Sequence, residues 1–172
     1  MQVRLSTKDD LLAIMKIVDE AKRYLKSQGI DQWQNGYPNE DGFKVDIENK
    51  VNYVLINGQN VYGTASIIPG LEPTYLKIDN GSWLTDGPYV TIHRIAIKDG
   101  YKGQHLAKYF FDYANKLAMS LSCVAIRIDT HPDNKAMIHL LNDLKFQKTG
   151  IIYLENGDLR IAYEQVLNSI HR

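Results

Sequence analysis

"VTIHRIAIKDGYKGQHLAKYFFDYA", Val90 to Ala114, joins an apolar run to a basic, glycine-bearing loop and then to amphipathic sequence. Tyr89–Ile97 reads as a strand, the piece from Lys98 as a short loop, and residues 103–121 as a helix. A helix start carries backbone N–H groups without intrahelical partners, here roughly Gly103 to Lys108, and its dipole favours an anion. Lys102 and Lys108 add cationic heads able to reach phosphate oxygens. His105 stands out. A glycine would let the backbone approach phosphate most closely, whereas a β-carbon takes some of that room. If His105 has helical dihedral angles, glycine is not required there.

On either side of this stretch the elements follow in a plain order. "QVRLS" alternates as a strand, and "STKDDLLAIMKIVDEAKRYLKSQG" reads as a helix. Ser6 or Thr7 caps it, Asp9 and Asp10 suit its first turn, and Gly29 ends it. Leu11, Leu12, Ile14, Met15, Val18 and Leu25 give it an apolar face. "IDQWQNGYPNED" is a polar, aromatic loop, and "EDGFKVDIENK" a weaker helix. "VNYVLING" and "NVYGTASIIP" form a hairpin through Asn57-Gly58. Residues 70–88 are an irregular excursion punctuated by Gly, Pro and Asn-Gly. Beyond the central helix come the strand "CVAIRIDT", a helix capped by Asp133 or Asn134, and strands "QKTGIIYL" and "LRIAYEQVL" joined at Asn156-Gly157. No repeat or linker interrupts this mixed α/β order.

With 172 residues, 44% hydrophobic and 23% charged, the chain has the size and composition of one ordinary globular domain over 1-172. A formal net charge of +0 gives no electrostatic case for nucleic-acid binding. No apolar run approaches a membrane span and the N-terminus has no apolar signal region, so a cytoplasmic location and no membrane partner are expected. The lone Cys123 sits among apolar residues and reads as a small buried hydrophobe rather than a nucleophile. The histidines are scattered without ligand spacing, so no metal site is expected.

Taken together, these elements resemble the GCN5-related N-acetyltransferase (GNAT) superfamily, of the bacterial small-molecule type. The most specific match is "IHRIAI" followed by "YKGQHLAKYFFDYA". Family members carry there Arg or Gln, two variable residues, Gly, a variable residue, and Gly or Ala. Here Lys102 replaces Arg or Gln, His105 replaces the central Gly, and Ala107 fits. "NKAMIHLLNDLKF" resembles the family's Asn-x-x-Ala helix ending in Gly-Phe, with Asn134 and Phe146 present and Lys145 where Gly is usual. The resemblance implies an α/β (α+β) fold with a mostly antiparallel central sheet of about seven strands and about four flanking helices. It also implies acetyl-CoA as cofactor, a small-molecule or peptide amine as acceptor, and allows a homodimer.

Carried over residue by residue, the cofactor set is Ile95, Ala96, Ile97, Lys102, Gly103, Gln104, His105, Leu106, Ala107, Lys108, Asn134 and Met137. The strand pairs its backbone with the pantetheine arm, and the N–H of Ile95 serves as oxyanion donor. Asn134 stands where the family places an Asn beside pantetheine, and also where a plain helix cap would stand. His93, two residues before Ile95 and so on the same strand face, is a candidate general base. Glu72 is a second candidate. His131 lies at a helix start and can simply contact that turn, and His139 and His171 read as surface residues. The family's general-acid Tyr aligns with Leu141, which removes that route; Tyr153 and Tyr163 are nearby substitutes without positional support. Trp33, Tyr37, Tyr75 and Trp83 are candidate acceptor-pocket walls, with ordinary packing as the alternative, and Asp31 or Glu72 could pair with an ammonium.

Two other functions compete with an acetyl-CoA-dependent N-acetyltransferase. One is a non-catalytic acyl-CoA-binding or sensing domain, motivated by the missing Tyr. The other, acetylation of tRNA-borne amino acids, is disfavoured by the net charge of +0.

Overall fold

The computed structural model describes residues 1–167. Seven strands hydrogen-bond in the order β1-β2-β3-β4-β5-β7-β6. They are β1 (Gln2–Leu5), β2 (Asn52–Asn57), β3 (Asn60–Pro69), β4 (Tyr89–Ile97), β5 (Ala125–Thr130), β6 (Gln147–Tyr153) and β7 (Leu159–Val166). The helices are α1 (Leu11–Ser27), α2 (Glu40–Glu48), α3 (Lys108–Ser120) and α4 (Lys135–Asp143). Pairing is antiparallel except for the parallel contact of Tyr89–Thr91 on β4 with 125–127 on β5. The chain divides into two units, one of Met1–Ile68 with Ile92–Ala114, the other of Pro69–Thr91 with the chain from Asn115 onward.

In the first unit, α1 is entered through a 3-10 turn, Lys8–Asp10. The Thr7 N–H donates to the Asp10 carboxylate at 2.8 Å, and Arg4 grips the same carboxylate at 2.8 and 2.9 Å. The helix ends at a left-handed Gly29, with the Ile30 N–H returning to the Leu25 carbonyl at 3.0 Å. Its buried stripe is Ile14, Ile17, Val18 and Leu25. Leu12, expected on that face, is exposed, and Ile17 takes a place in the core instead. Ile14 and Val18 pack with Phe43 and Ile47 of α2 onto Val54 of β2. The β2–β3 hairpin turns at a left-handed Gly58. Gly63 on β3 is a closer constraint: a β-carbon there would lie 2.8 Å from Ile97 and 3.1 Å from Phe110. Glycine therefore lets β4 and α3 seat against β3.

In the second unit, Tyr75, Tyr89, Ala125, Ile152 and Ala162 form the core. The excursion 70–88 has one 3-10 turn, Pro73–Tyr75, and bridges to β6 at Asp79↔Ile151. It lies backbone against backbone. A β-carbon on Gly81 would fall 1.9 Å from the Thr149 carbonyl oxygen, and one on Gly150 would fall 2.7 Å from that of Asp79. The excursion is irregular in hydrogen bonding, as its punctuation implies, yet fixed in place.

Candidate functional site

The expected site residues fall in both units. His93, the 95–97 segment, residues 102–108, Trp33 and Tyr37 belong to the first; Glu72, Tyr75, Trp83, Asn134 and Met137 belong to the second.

Within the first unit β4 is not regular. Arg94 has φ +53, a left-handed conformation in the middle of a strand. The two-residue alternation that would put His93 and Ile95 on one face is interrupted at the residue between them. The Arg94 side chain holds that geometry. Its Nε and Nη2 donate to one oxygen of the buried Asp46 at 2.9 and 2.7 Å, and its Nη1 reaches the Tyr37 hydroxyl at 2.5 Å. Asp46 also accepts from Ser66 at 2.6 Å. Burial pulls the Arg94 guanidinium's pKa down, but Tyr37 and Asp46 outweigh that and hold it above its ordinary value. Tyr37 is thus brought to the strand beside His93 and Ile95. Trp33 lies half-buried in the same loop at φ +64.

The loop after β4 differs from the sequence expectation in three respects. Regular helix begins at Lys108 rather than Gly103. The Lys108 N–H is occupied, donating to the His105 carbonyl at 3.1 Å. His105 has φ +58, so it is not helical and stands in the conformation that glycine adopts most readily. With Gly100 at +82 and Gly103 at +78, the loop changes hand repeatedly. Its consequence is a run of available donors: residues 101–104 close one turn, and among the described residues the backbone N–H groups of Lys102, Gly103, His105, Leu106 and Ala107 meet no backbone acceptor. Leu106 is buried and anchors the loop, while Gln104 and His105 are exposed. Lys102 is held by Asp99 at 2.6 Å and lies 4.1 Å over the Tyr24 ring, so it is pre-positioned at the loop rather than solvated freely. Unpaired N–H groups, a helix dipole and a held cation form an anion cradle. A pyrophosphate fits that donor set.

In the second unit the Asn134 side-chain amide oxygen, Oδ1, accepts the Met137 N–H at 3.2 Å, so Asn134 is a helix cap. Met137 is half-buried, and Leu141, at the family's acid position, is fully buried. Tyr163 is buried too, and its burial pushes the phenol pKa up; Tyr153 is exposed. His131 accepts the Asp133 N–H at 3.1 Å, the turn contact expected of it, and His139 is exposed. His171 lies outside the described residues. Burial raises the Cys123 thiol pKa, as suits a packing residue. The Glu72 carboxylate caps its own turn, accepting from the Thr74 hydroxyl at 3.0 Å.

Tyr75, for which a pocket wall and ordinary packing are the two expectations, lines a cavity of its unit and is packed as well. It is 2% exposed, and its hydroxyl donates to Asp129 at 2.6 Å. Burial, with Asp129 adding to it, pushes that phenol far above its ordinary range. Trp83 donates to the Tyr75 carbonyl at 2.9 Å.

The network that organises this region is one the sequence did not reveal. Buried Arg127 donates to fully buried Glu164 at 3.0 Å and to the Thr85 carbonyl at 2.6 Å. Its guanidinium carbon lies 4.2 Å from the Trp83 ring centroid and 4.0 Å from that of Tyr89. Glu164 in turn accepts the Thr85 hydroxyl at 2.7 Å and the Leu84 N–H. These residues stand far apart in sequence, and apart from alternation on β5 and β7 no local signal marks them.

Comparisons with known proteins agree with this geometry. The model of the acetyltransferase (GNAT) family matches residues 14–146. A GNAT-family acetyltransferase from Streptococcus agalactiae is 34% identical, with 98% of this chain and 96% of that one covered and a TM-score of 0.87. Two more distant structures share the fold. The ribosomal-protein-alanine N-acetyltransferase of Brucella melitensis is 15% identical, over 97% of this chain and 100% of that one, at a TM-score of 0.69. The Salmonella typhimurium protein yncA, solved with its cofactor acetyl-CoA, is 16% identical, over 100% of this chain and 96% of that one, at a TM-score of 0.70. No curated protein sequence matches. Acetyltransferases of this fold use acetyl-CoA as acyl donor. Family model, fold and the Streptococcus relative agree: this chain belongs to the GNAT acetyltransferase family.

Proposed function

We propose that the chain is a cytoplasmic, acetyl-CoA-dependent N-acetyltransferase, one domain over residues 1-172, that acts on a primary amine of a small molecule or peptide by direct attack in a ternary complex. The observation that carries this is the set of N–H groups of Lys102, Gly103, His105, Leu106 and Ala107 that, among the described residues, meet no backbone acceptor, with left-handed Gly103 and His105 ahead of α3. Those groups and Lys102 hold the pyrophosphate, and the backbone of Ile95, Ala96 and Ile97 pairs with the pantetheine arm. Asn134 and Met137 are assigned to the same cofactor, in addition to the cap they make with each other.

The cofactor supplies an acetyl group activated as a thioester. The Ile95 N–H, which follows the left-handed Arg94, stabilises the charge that develops on the acyl oxygen. His93 takes the proton that the attacking amine must lose. Glu72, whose carboxylate already caps its own turn, is the weaker alternative. No tyrosine stands at position 141 to return a proton to the leaving sulfur, so water serves.

Isothermal calorimetry with acetyl-CoA tests the cradle. Binding by the unaltered chain and its abolition by the double change Lys102→Glu, Gly103→Glu is the expected result; unchanged binding by the variant sinks the assignment. The buried Leu141 favours a second reading, a non-catalytic acyl-CoA sensor. Free-thiol release over a panel of amines separates the two, since tight cofactor binding with no turnover supports the sensor.

A further inference from the structure

The second unit contains a cavity of about 610 Å³, bounded by the excursion, the start of β4 and Arg127. That size suits a small organic ligand. Its walls are mainly apolar: Leu71, Leu76, Trp83, Pro88 and Tyr89. Leu71 is 76% and Leu76 72% exposed, so two large aliphatic side chains stand in water at its rim. An apolar patch of this kind, continuous with a concave site, marks a binding surface more often than a solvated one.

Charge determines what class of ligand fits. Arg127 is the only cation in the lining, and it is spent internally: Glu164 neutralises it, Thr85 accepts from it, and Trp83 and Tyr89 cover its faces. Asp86 is the only anion in the lining. It is exposed, and among the described residues no cation pairs with it and no donor binds its carboxylate. The cavity therefore presents an apolar body and one uncompensated negative charge. A carboxylate or phosphate ligand would meet Asp86 and find no available guanidinium, so anions are excluded by the same arrangement.

We propose that this cavity binds a small organic cation, a protonated amine carried on an aryl or branched-alkyl body. The apolar part packs on Leu71, Leu76 and Trp83, and the ammonium pairs with Asp86. This site rests on the residues of its own unit and not on the acetyltransferase reading.

The test uses Trp83 emission in the full chain without acetyl-CoA, so that failure counts against the cavity and not against the transferase reading. Trp33→Phe leaves Trp83 as the sole indole of the two tryptophans. The probes are phenethylamine, its neutral counterpart 2-phenylethanol, and the anion phenylacetate. Expected are saturable quenching by the amine, at least tenfold weaker binding of the alcohol, and no binding of the anion. Asp86→Asn should bring the amine down to the level of the alcohol, and Asp86→Glu should restore the preference. Equal affinity for amine and alcohol, full affinity in Asp86→Asn, or no saturable change at Trp83 overturns the proposal.

Discussion

His105 is where side-chain chemistry and backbone demand conflict most sharply. An L-residue at φ +58 bears a steric cost of roughly 1–2 kcal/mol, which glycine escapes and a β-branched residue feels in full. Glycine gives part of this back through the entropy it loses on folding. His105→Gly is therefore expected to change stability by less than about 1 kcal/mol and to bind acetyl-CoA at least as tightly as the native chain. His105→Val should fall about 1–2 kcal/mol below His105→Gly. Urea denaturation and calorimetry of the two variants measure this; a valine variant as stable as the glycine variant would show that the left-handed turn is not required. The sequence showed that a glycine was missing from the loop. It did not show the turn's hand, because the reversal arises from how Leu106 is buried and α3 is seated, neither of which is local. Delayed by that turn, α3 starts five residues later than its amphipathic pattern suggests.

Two elements owe their position to carboxylates whose partners are remote or unexpected. At the entrance to α1, hydrogen bonding from Arg4 holds the Asp10 carboxyl below the usual carboxylate range, burial opposes this, and the Thr7 N–H adds to the lowering. The sign follows from linkage. The native pKa is depressed, so the stabilisation is complete above the unfolded pKa of about 4 and disappears as pH falls through the native one. Asp10→Asn should cost about 1 kcal/mol at neutral pH, with the gap to the native chain closing below about pH 4, as read by denaturant titration at both pH values. Beneath the excursion, Glu164 of β7 collects the Leu84 N–H, the Thr85 hydroxyl and Arg127, and so clips residues 84–85 to an inner strand of the sheet. Glu164→Gln leaves a buried guanidinium uncompensated and is expected to cost about 3 kcal/mol. The double change Arg127→Met, Glu164→Leu should cost less than Glu164→Gln alone, and a strictly additive double variant would refute the pairing. The Asp10 contact was within reach of sequence reasoning, since Thr7 and Asp10 stand at capping spacing. The Glu164 clip was not, because its partners lie 37 and about 80 positions away.

Across the whole molecule, each unit buries a phenol that resists ionisation. Burial beside Tyr113 pushes Tyr53 of the first unit up to about 12, and Tyr75 of the second lies far above its ordinary range. An unfolded tyrosine loses its proton near pH 10, so stability is full below that value and is lost as pH rises toward 12. Absorbance at alkaline pH should show part of the eleven-tyrosine signal delayed until the chain unfolds, with Tyr53→Phe and Tyr75→Phe each removing some of the delayed part. Element order, the limits of β4 and both glycine-turned hairpins were legible because each rests on short-range pattern: alternation, Asn-Gly, capping residues. Aromatic content does not by itself distinguish a pocket wall from a core residue, and Tyr75 has both characters: it lines the cavity of its unit and is 2% exposed. Its hydroxyl is held by Asp129, 54 positions away, a contact that no local pattern marks. The internal ion pair of Arg127 and Glu164 also bears on how such a chain can drift over generations. Losing either charge alone passes through a poorly folded intermediate, while losing both does not. Among descendants that keep the excursion, positions 127 and 164 should consequently change together or stay as they are, a covariation that an alignment of relatives can count.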